Sequence, residues 1–184
     1  MYCVKICRVL VLLTFVSMLF ACQDVSDDIT PSGEDKRSDI EEGVIGHLPG
    51  QIAPDFTADT SLSEPRTLST EVAMSTDGVL IYFTMWCPTC DSHMSHIRSN
   101  ILPDFPDVSV LVVDWVTGAV SASRASQLAN GFTSFTVLVD VDHTILNAYD
   151  GGMGTTVIVD PLGVVRFNET YKDGRKVREV LESL

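Results

Sequence analysis

Short apolar runs, separated by polar and turn-forming residues, dominate the chain from Gly43 onward. Runs of this kind, rich in β-branched and aromatic side chains, are typical of buried strands. The pattern predicts five strands, at 79–84, 108–115, 135–140, 155–160 and 164–168. The turn-forming stretch Pro161-Leu162-Gly163 joins the last two, so these should form a hairpin.

Segments with the apolar spacing of helices lie between these strands and after the last one. This spacing predicts helices at 88–102, 120–130 and 173–184. In the first, Met94, Ile97 and Ile101 fall near one face and Pro103 ends the segment. A strand–helix–strand order followed by a hairpin and a closing helix predicts an α/β fold, with a central mixed β-sheet flanked by helices on both faces.

The first 22 residues follow a different pattern, MYCVKICRVLVLLTFVSMLFAC. Lys5 and Arg8 precede an uncharged apolar stretch at 9–20. That stretch is shorter than the roughly 20 residues that span a bilayer. It predicts an export signal, with a short uncleaved membrane anchor as the alternative.

The end of this segment, Leu19-Phe20-Ala21-Cys22, resembles the lipobox of bacterial lipoproteins. The resemblance implies that residues 1–21 are a signal peptide and that Cys22 carries a lipid anchor in the bacterial cell envelope. An Asp after the lipidated cysteine resembles an inner-membrane retention signal. Because Gln23 stands there, the outer membrane, with the domain facing the periplasm, is the expected location.

A polar stretch follows, with eight acidic and two basic residues at 23–42. Such a composition cannot bury enough apolar surface to fold. It predicts a disordered tether over 22–45 and a single folded domain over 46–184. The formal net charge of −13 argues against nucleic acid as a partner.

Only two of the five cysteines, Cys87 and Cys90, lie inside the predicted domain. They stand where the strand at 79–84 passes into the helix at 88–102. Outside the cytosol such a Cys-x-x-Cys pair is in a compartment that permits disulfides. The spacing favours a redox pair; a metal site and an inert structural disulfide are the alternatives.

Four stretches, in order, resemble the thioredoxin-fold redoxins of the TlpA/ResA and AhpC/TSA-like group. They are APDFTADT at 53–60, LIYFTMWCPTC at 80–90, FTVLVD at 135–140 and GTTVIVDPLGVV at 154–165. The resemblance covers roughly residues 50–184 and implies a thioredoxin-like fold. It also implies a monomeric thiol–disulfide oxidoreductase that acts on protein thiols and disulfides of the cell envelope. No cofactor is implied beyond the redox-active disulfide Cys87–Cys90.

This resemblance implies a role for each residue around the pair. Cys87, at the N-terminus of a helix, is the exposed attacking thiol, and the backbone N–H groups there should lower its pKa. Cys90 is the buried resolving thiol. His93 stands where ResA-like proteins often have a glutamate thought to help proton transfer, although a solvent-exposed histidine is the alternative. Trp86 and Pro88 should belong to the substrate-docking surface.

The sequence departs from the group at Gly154, where relatives have a cis-proline facing the cysteines. A cis bond before a non-proline residue costs about 2.5–4 kcal/mol. We therefore expect a trans peptide at 153–154, in a more flexible loop, and a free N–H opposite the sulfurs. Met153, Gly154 and Thr155 should complete the docking surface.

Two rival functions use the same residues. Cys87, Cys90, His93 and His96 could bind zinc or copper, although each three-residue helical step turns the side chain by about 60°, so that all four would not converge. A thiol peroxidase is the second rival, because Thr84-Met85-Trp86-Cys87 resembles the Thr-x-x-Cys of peroxiredoxins. Arg124 or Arg166 would then be the activating arginine. A binding module with a structural Cys87–Cys90 bond is a third, non-enzymatic reading.

Overall fold

The computed structural model describes residues 40–184. An antiparallel hairpin comes first, formed by β1 (Thr57–Asp59) and β2 (Pro65–Thr67). The main sheet contains β3 (Val79–Thr84), β4 (Ser109–Asp114), β5 (Thr136–Val139), β6 (Thr155–Val159) and β7 (Val165–Thr170). Its order is β5-β4-β3-β6-β7. β3, β4 and β5 are parallel, whereas β6 and β7 run antiparallel to their neighbours. The predicted mixed sheet is confirmed.

Five α-helices accompany the strands in the described residues. They are α1 (Leu68–Met74), α2 (Pro88–His96), α3 (Val120–Ala129), α4 (Thr144–Ala148) and α5 (Arg175–Leu181). α2 continues into a π-helical turn at Ile97–Ile101, so that helical structure covers nearly all of the predicted 88–102.

The side chains of β3 alternate between two hydrophobic clusters, as successive strand residues must. Leu80 and Tyr82 pack with Met94 of α2 and Val177 of α5 on one face. Ile81 and Phe83 pack with Leu68 of α1 and Ile145 of α4 on the other. All six residues of β3 are buried, so the strand that leads to Cys87 is held on both faces.

α1 and α4 were not predicted from the sequence, and both are short. α4 is only five residues long and carries no helical repeat of apolar positions. It is held at its start by the Asp140 carboxylate, which accepts hydrogen bonds from the N–H groups of Ile145 and Leu146. The feature of the sequence that could have indicated α4 was thus the carboxylate before it, not a hydrophobic repeat.

The structure describes residues 40–45, which precede the predicted start of the domain at residue 46. Val44 accepts a backbone hydrogen bond from Ile52, and Ile45 pairs with Ile52. The predicted signal peptide, Cys22 and most of the predicted tether lie outside the described residues. Within residues 40–184, no helix is both long enough and apolar enough to cross a membrane.

Candidate functional site

The two sulfurs lie where β3 passes into α2. Cys87 is the N-cap of α2, and its Sγ accepts a hydrogen bond from the Cys90 N–H at 3.3 Å. Pro88 follows at the first helical position, where its missing N–H leaves no hydrogen bond unmade. Both thiols are free, and their Sγ atoms are 2.8 Å apart. Cys87 is partly exposed, whereas Cys90 is fully buried.

The hydrogen bonds around the pair set its acidity. Burial raises the pKa of Cys87, and so does its hydrogen bond with Cys90. Burial also raises the pKa of Cys90, but hydrogen bonds from the Cys87 thiol, the backbone and Thr84 outweigh it, so that the Cys90 pKa is lowered. The prediction of a lowered pKa for Cys87 was therefore wrong, and it is the pKa of Cys90 that is lowered. Because the two sulfurs are in contact, the first proton is lost from the pair as a unit.

Trp86 makes the turn that presents Cys87. Its backbone is in the left-handed region, with φ 55°. Its N–H donates to Thr84 Oγ1 at 3.1 Å, and its indole Nε1 donates to Asp114 Oδ2 at 2.8 Å. Asp114 is fully buried at the end of β4, paired in register with Thr84. The sequence did not single out Asp114 as a site residue, but because neighbouring parallel strands end together, its position beside the cysteines could have been inferred.

The loop at 153–155 faces the sulfurs, as predicted. Met153 Sδ lies 3.5 Å from Cys87 Sγ, and the Met153 side chain is exposed. No cis peptide bond occurs among residues 40–184, so the predicted trans peptide at 153–154 is confirmed. Thr155, in contrast, is buried at the start of β6.

The expectation of a free N–H at Gly154 was wrong. This N–H donates to the Phe83 carbonyl at 3.0 Å, and the Gly154 carbonyl accepts from the Tyr171 N–H at 2.7 Å. These bonds hold the buried glycine against β3 and against the residue that follows β7. Its φ of +79° is the left-handed conformation that glycine adopts at little cost.

His93 is half-buried and has a specific partner, unlike a solvent-exposed helix histidine. Its Nδ1 lies 3.0 Å from Tyr82 Oη, and its ring centroid lies 4.9 Å from that of Tyr171. Burial lowers the pKa of His93, and the nearby His96 lowers it further. Tyr82 was missed as a site residue because a tyrosine in an apolar strand is indistinguishable from core in the sequence.

The rival metal site is not assembled. His96 turns away from the sulfurs, and its Nδ1 lies 2.6 Å from Tyr171 Oη. In the part of the chain that the structure describes, no group of three or more His, Cys, Asp or Glu side chains could hold a metal ion.

Neither candidate arginine of the rival peroxidase is placed to activate Cys87. Arg166 forms an ion pair with Asp160, at the end of the sheet opposite the cysteines. Arg124 donates to Gln127 on its own helix, and Gln127 binds the carbonyls of Phe132 and Phe135 before β5. Both candidate arginines are thus engaged by other side chains rather than by Cys87.

Similar structures share this fold. A candidate thiol:disulfide interchange protein DsbE from Chlorobium tepidum is 19% identical, with a TM-score of 0.64, and the match covers 74% of this chain and 96% of that one. A candidate protein disulfide isomerase from Bacteroides thetaiotaomicron is 24% identical, with a TM-score of 0.61 and coverage of 74% and 87%. Peroxidoxin BcpB from Mycobacterium tuberculosis is 20% identical, with a TM-score of 0.61 and coverage of 74% and 97%. These similarities confirm the predicted thioredoxin-like fold.

Sequence comparison identifies the family. No curated protein matches the chain significantly. The family model described as AhpC/TSA matches residues 49–168, which include the hairpin, the cysteine pair and most of the main sheet. The chain belongs to the AhpC/TSA family.

Proposed function

We propose that this protein is a thiol–disulfide oxidoreductase anchored to the bacterial envelope, and that Cys87 and Cys90 are its redox centre. The observation that carries the proposal is the asymmetry of the pair. A partly exposed sulfur at a helix N-cap lies 2.8 Å from a fully buried one. Thiol–disulfide exchange needs an accessible attacker and a second thiol that a substrate cannot reach. Membership of the AhpC/TSA family supports the same class of chemistry.

The geometry assigns one step to each sulfur. Cys87 passes its proton to the Cys90 thiolate across the 2.8 Å contact and then attacks a substrate disulfide as a thiolate, forming a mixed disulfide and releasing one substrate thiolate. Cys90 then attacks Cys87 Sγ, which breaks the mixed disulfide, releases the second substrate thiolate and closes the Cys87–Cys90 bond. Two electrons pass from the pair to the substrate, and the reverse sequence oxidises a substrate dithiol.

The surface around Cys87 suits an unfolded or flexible protein segment. Met85 and Met153 are exposed beside the sulfur, and Trp86 is partly exposed between Cys87 and the buried Asp114. Methionine side chains are flexible and polarizable, so they adapt to different apolar partners. Protein thiols and disulfides of the cell envelope are therefore the proposed substrates.

Trapping the mixed disulfide tests the activity. Cys90→Ser removes the resolving thiol, so the full chain should retain envelope proteins on Cys87 through bonds that a reductant releases. Cys87→Ser is the matched control and should retain none. The wild-type pair should also equilibrate with a glutathione redox buffer. A variant that captures no protein, together with a pair that no dithiol reduces, would overturn the proposal.

Peroxide separates this function from the rival peroxidase. The peroxidase would be favoured if the Cys90→Ser variant, supplied with an added thiol, consumed peroxide rapidly and the Cys87→Ser variant did not. The oxidoreductase reading instead expects slow peroxide consumption and fast disulfide exchange.

The location is proposed from the lipobox resemblance at Leu19–Cys22 and the acidic stretch that follows. Lipid chains on Cys22 would hold the domain at the outer membrane, facing the periplasm, with the tether setting its reach. Cys22→Ser should move the protein from the membrane fraction to the soluble fraction. Unchanged fractionation would exclude the lipid anchor.

A further inference from the structure

A methionine sulfur lies beside the cysteine pair. Met153 Sδ is 3.5 Å from Cys87 Sγ, and Cys87 Sγ is 2.8 Å from Cys90 Sγ. Three sulfur atoms therefore meet around Cys87, although Met153 lies 66 positions further along the chain. The proposed thiol exchange uses the two cysteines but assigns no chemistry to this thioether.

The backbone of the loop holds Met153 in this position. The Thr155 N–H donates to the Gly152 carbonyl at 3.0 Å, so Met153 and Gly154 are the central residues of a turn. Gly154 has a φ of +79°, which glycine adopts at little cost at the third position of such a turn. Its N–H donates to the Phe83 carbonyl of β3, the strand that leads to Cys87. The glycine that replaces the proline of related redoxins thus allows the turn that presents Met153 to the sulfurs.

The donor atoms at this corner indicate the class of metal that they suit. Thiolates and thioethers are soft ligands, and soft ligands select Cu(I) over harder cations. Zinc prefers thiolate, imidazole and carboxylate ligands, four of them in structural sites. Both histidines of α2 are engaged by tyrosines, His93 by Tyr82 and His96 by Tyr171. Sulfur is therefore the donor type that the site offers.

We propose that Cys87, Cys90 and Met153 form a binding site for one Cu(I) ion. Both thiols release their protons when the ion binds, Met153 Sδ donates a lone pair, and no atom changes its oxidation state. The site needs only the reduced pair, so it does not depend on the proposed exchange activity. Because the ion occupies the sulfurs that a disulfide would join, copper binding and disulfide exchange exclude each other.

The three sulfurs need little rearrangement to bind one ion. Metal–thiolate bonds in proteins are about 2.3 Å long, so three sulfurs placed trigonally around an ion lie about 4 Å apart. The sulfurs of the structure are closer than this and have to separate slightly. Cys87 is partly exposed and Met153 is exposed, so both side chains can rotate toward solvent while the buried Cys90 stays in place. The flexible, unbranched side chain of methionine suits such an adjustment.

A competition titration tests the site. The full-length chain carries Cys3→Ser, Cys7→Ser and Cys22→Ser, so that Cys87 and Cys90 are its only thiols. The reduced protein is titrated without oxygen against a coloured Cu(I) chelator. We expect one Cu(I) ion per monomeric chain, and no bound copper once the pair has been oxidised to a disulfide.

Met153→Leu separates the proposed site from a simple two-thiolate site, because it keeps the size of the side chain and removes the sulfur. We expect the Cu(I) affinity to fall at least about tenfold, the smallest loss typical of removing even an outer-sphere partner of a metal ligand. Met74→Leu is the matched control, since Met74 is an exposed methionine at the end of α1, and it should leave the affinity unchanged. X-ray absorption at the copper edge should count three sulfur ligands in the parent chain and two in Met153→Leu.

Equal Cu(I) affinities of the parent chain and Met153→Leu, with two sulfurs at the ion in both, would overturn the site. So would a copper-dependent dimer in sedimentation experiments, because the ion would then bridge the cysteines of two chains. Failure of the proposed oxidoreductase function is a separate result. It would appear as a Cys90→Ser variant that traps no protein, and the Cu(I) affinity of the reduced pair would be unaffected.

Discussion

Two histidine–tyrosine pairs lie next to each other beneath α2. His93 bonds to Tyr82 of β3, and His96 bonds to Tyr171 just after β7. Both use Nδ1, and both histidines lie on the same helix. They differ in where the tyrosine stands: Tyr82 lies within β3, whereas Tyr171 joins α2 to the chain between β7 and α5. The same bond thus ties α2 to the centre of the sheet in one pair and to the chain beyond β7 in the other.

A glycine lies against each pair, and the two contacts differ in tightness. A Cβ at Gly154 would meet His93 at 3.4 Å, an ordinary contact. A Cβ at Gly174 would meet Tyr171 Oη at 2.6 Å and His96 Cε1 at 2.9 Å, closer than packed atoms allow. The two glycines therefore offer separate ways to disturb each pair.

The largest effect should come from Gly174→Ala. Its φ of +75° costs an alanine about 1–2 kcal/mol, and the clash with Tyr171 and His96 adds about 1–3 kcal/mol. We expect the free energy of unfolding, measured in urea, to fall by about 2–5 kcal/mol. Gly131→Ala is the matched control, since Gly131 has φ +73° and open space around it. Equal losses in the two variants would show that the His96–Tyr171 pair is not packed as described.

Gly154→Ala should cost less. Its φ is +79°, but the new Cβ would meet His93 only at contact distance, so about 1–2 kcal/mol is expected from the backbone alone. Urea unfolding should place it beside Gly131→Ala rather than Gly174→Ala. A loss as large as that of Gly174→Ala would mean that the loop leaves no room beside His93.

The residues of the two pairs also differ in whether the sequence alone could predict them. Cys87 and Cys90 were found because a two-residue spacing at a strand–helix junction is a local pattern, and the strand at 79–84 matches β3 residue for residue. His93 was found by its distance from Cys90 along one helix. Local spacing and hydrophobic runs were thus sufficient for the sheet and for the sulfurs.

The partners of these residues could not be found in the same way. Tyr82 lies within β3, Asp114 ends β4 and Tyr171 follows β7. Nothing in their local sequence distinguishes a hydroxyl or carboxylate in a site from one in the core. The N–H of Gly154 was expected to be free, but it donates to the Phe83 carbonyl. Sheet pairing brings this carbonyl beside the loop, and such long-range pairing cannot be read from the local sequence. The sequence therefore predicted the position of the two sulfurs better than the side chains that surround them.

Tyr171→Phe should have a moderate effect on stability. It removes the Oη that lies 2.6 Å from His96 Nδ1 but keeps the ring that packs against His93. The loss of one part-buried hydrogen bond should lower the free energy of unfolding by about 1 kcal/mol, measured in urea at neutral pH. A change below a few tenths of a kcal/mol would show that the bond adds nothing to the link between α2 and the end of β7.

The smallest effect should be a pH dependence of stability that arises at His93. Because burial and His96 lower the pKa of His93, the unfolded chain binds a proton at this residue near pH 6.5 while the folded chain does not. Stability should therefore fall as the pH drops from 7 through this range, with a slope below about 1.4 kcal/mol per pH unit, the limit for one proton.

His93→Gln removes this contribution, so its unfolding free energy should fall less than that of wild type between pH 7 and 5.5. His96→Gln should keep most of it, because burial, the larger cause, remains at His93. If the two substitutions flatten the pH dependence equally, the two histidines share one environment and the distinction between the pairs fails. If only His93→Gln flattens it, the imidazole beside Tyr82 is held neutral by its buried position rather than by its neighbour His96.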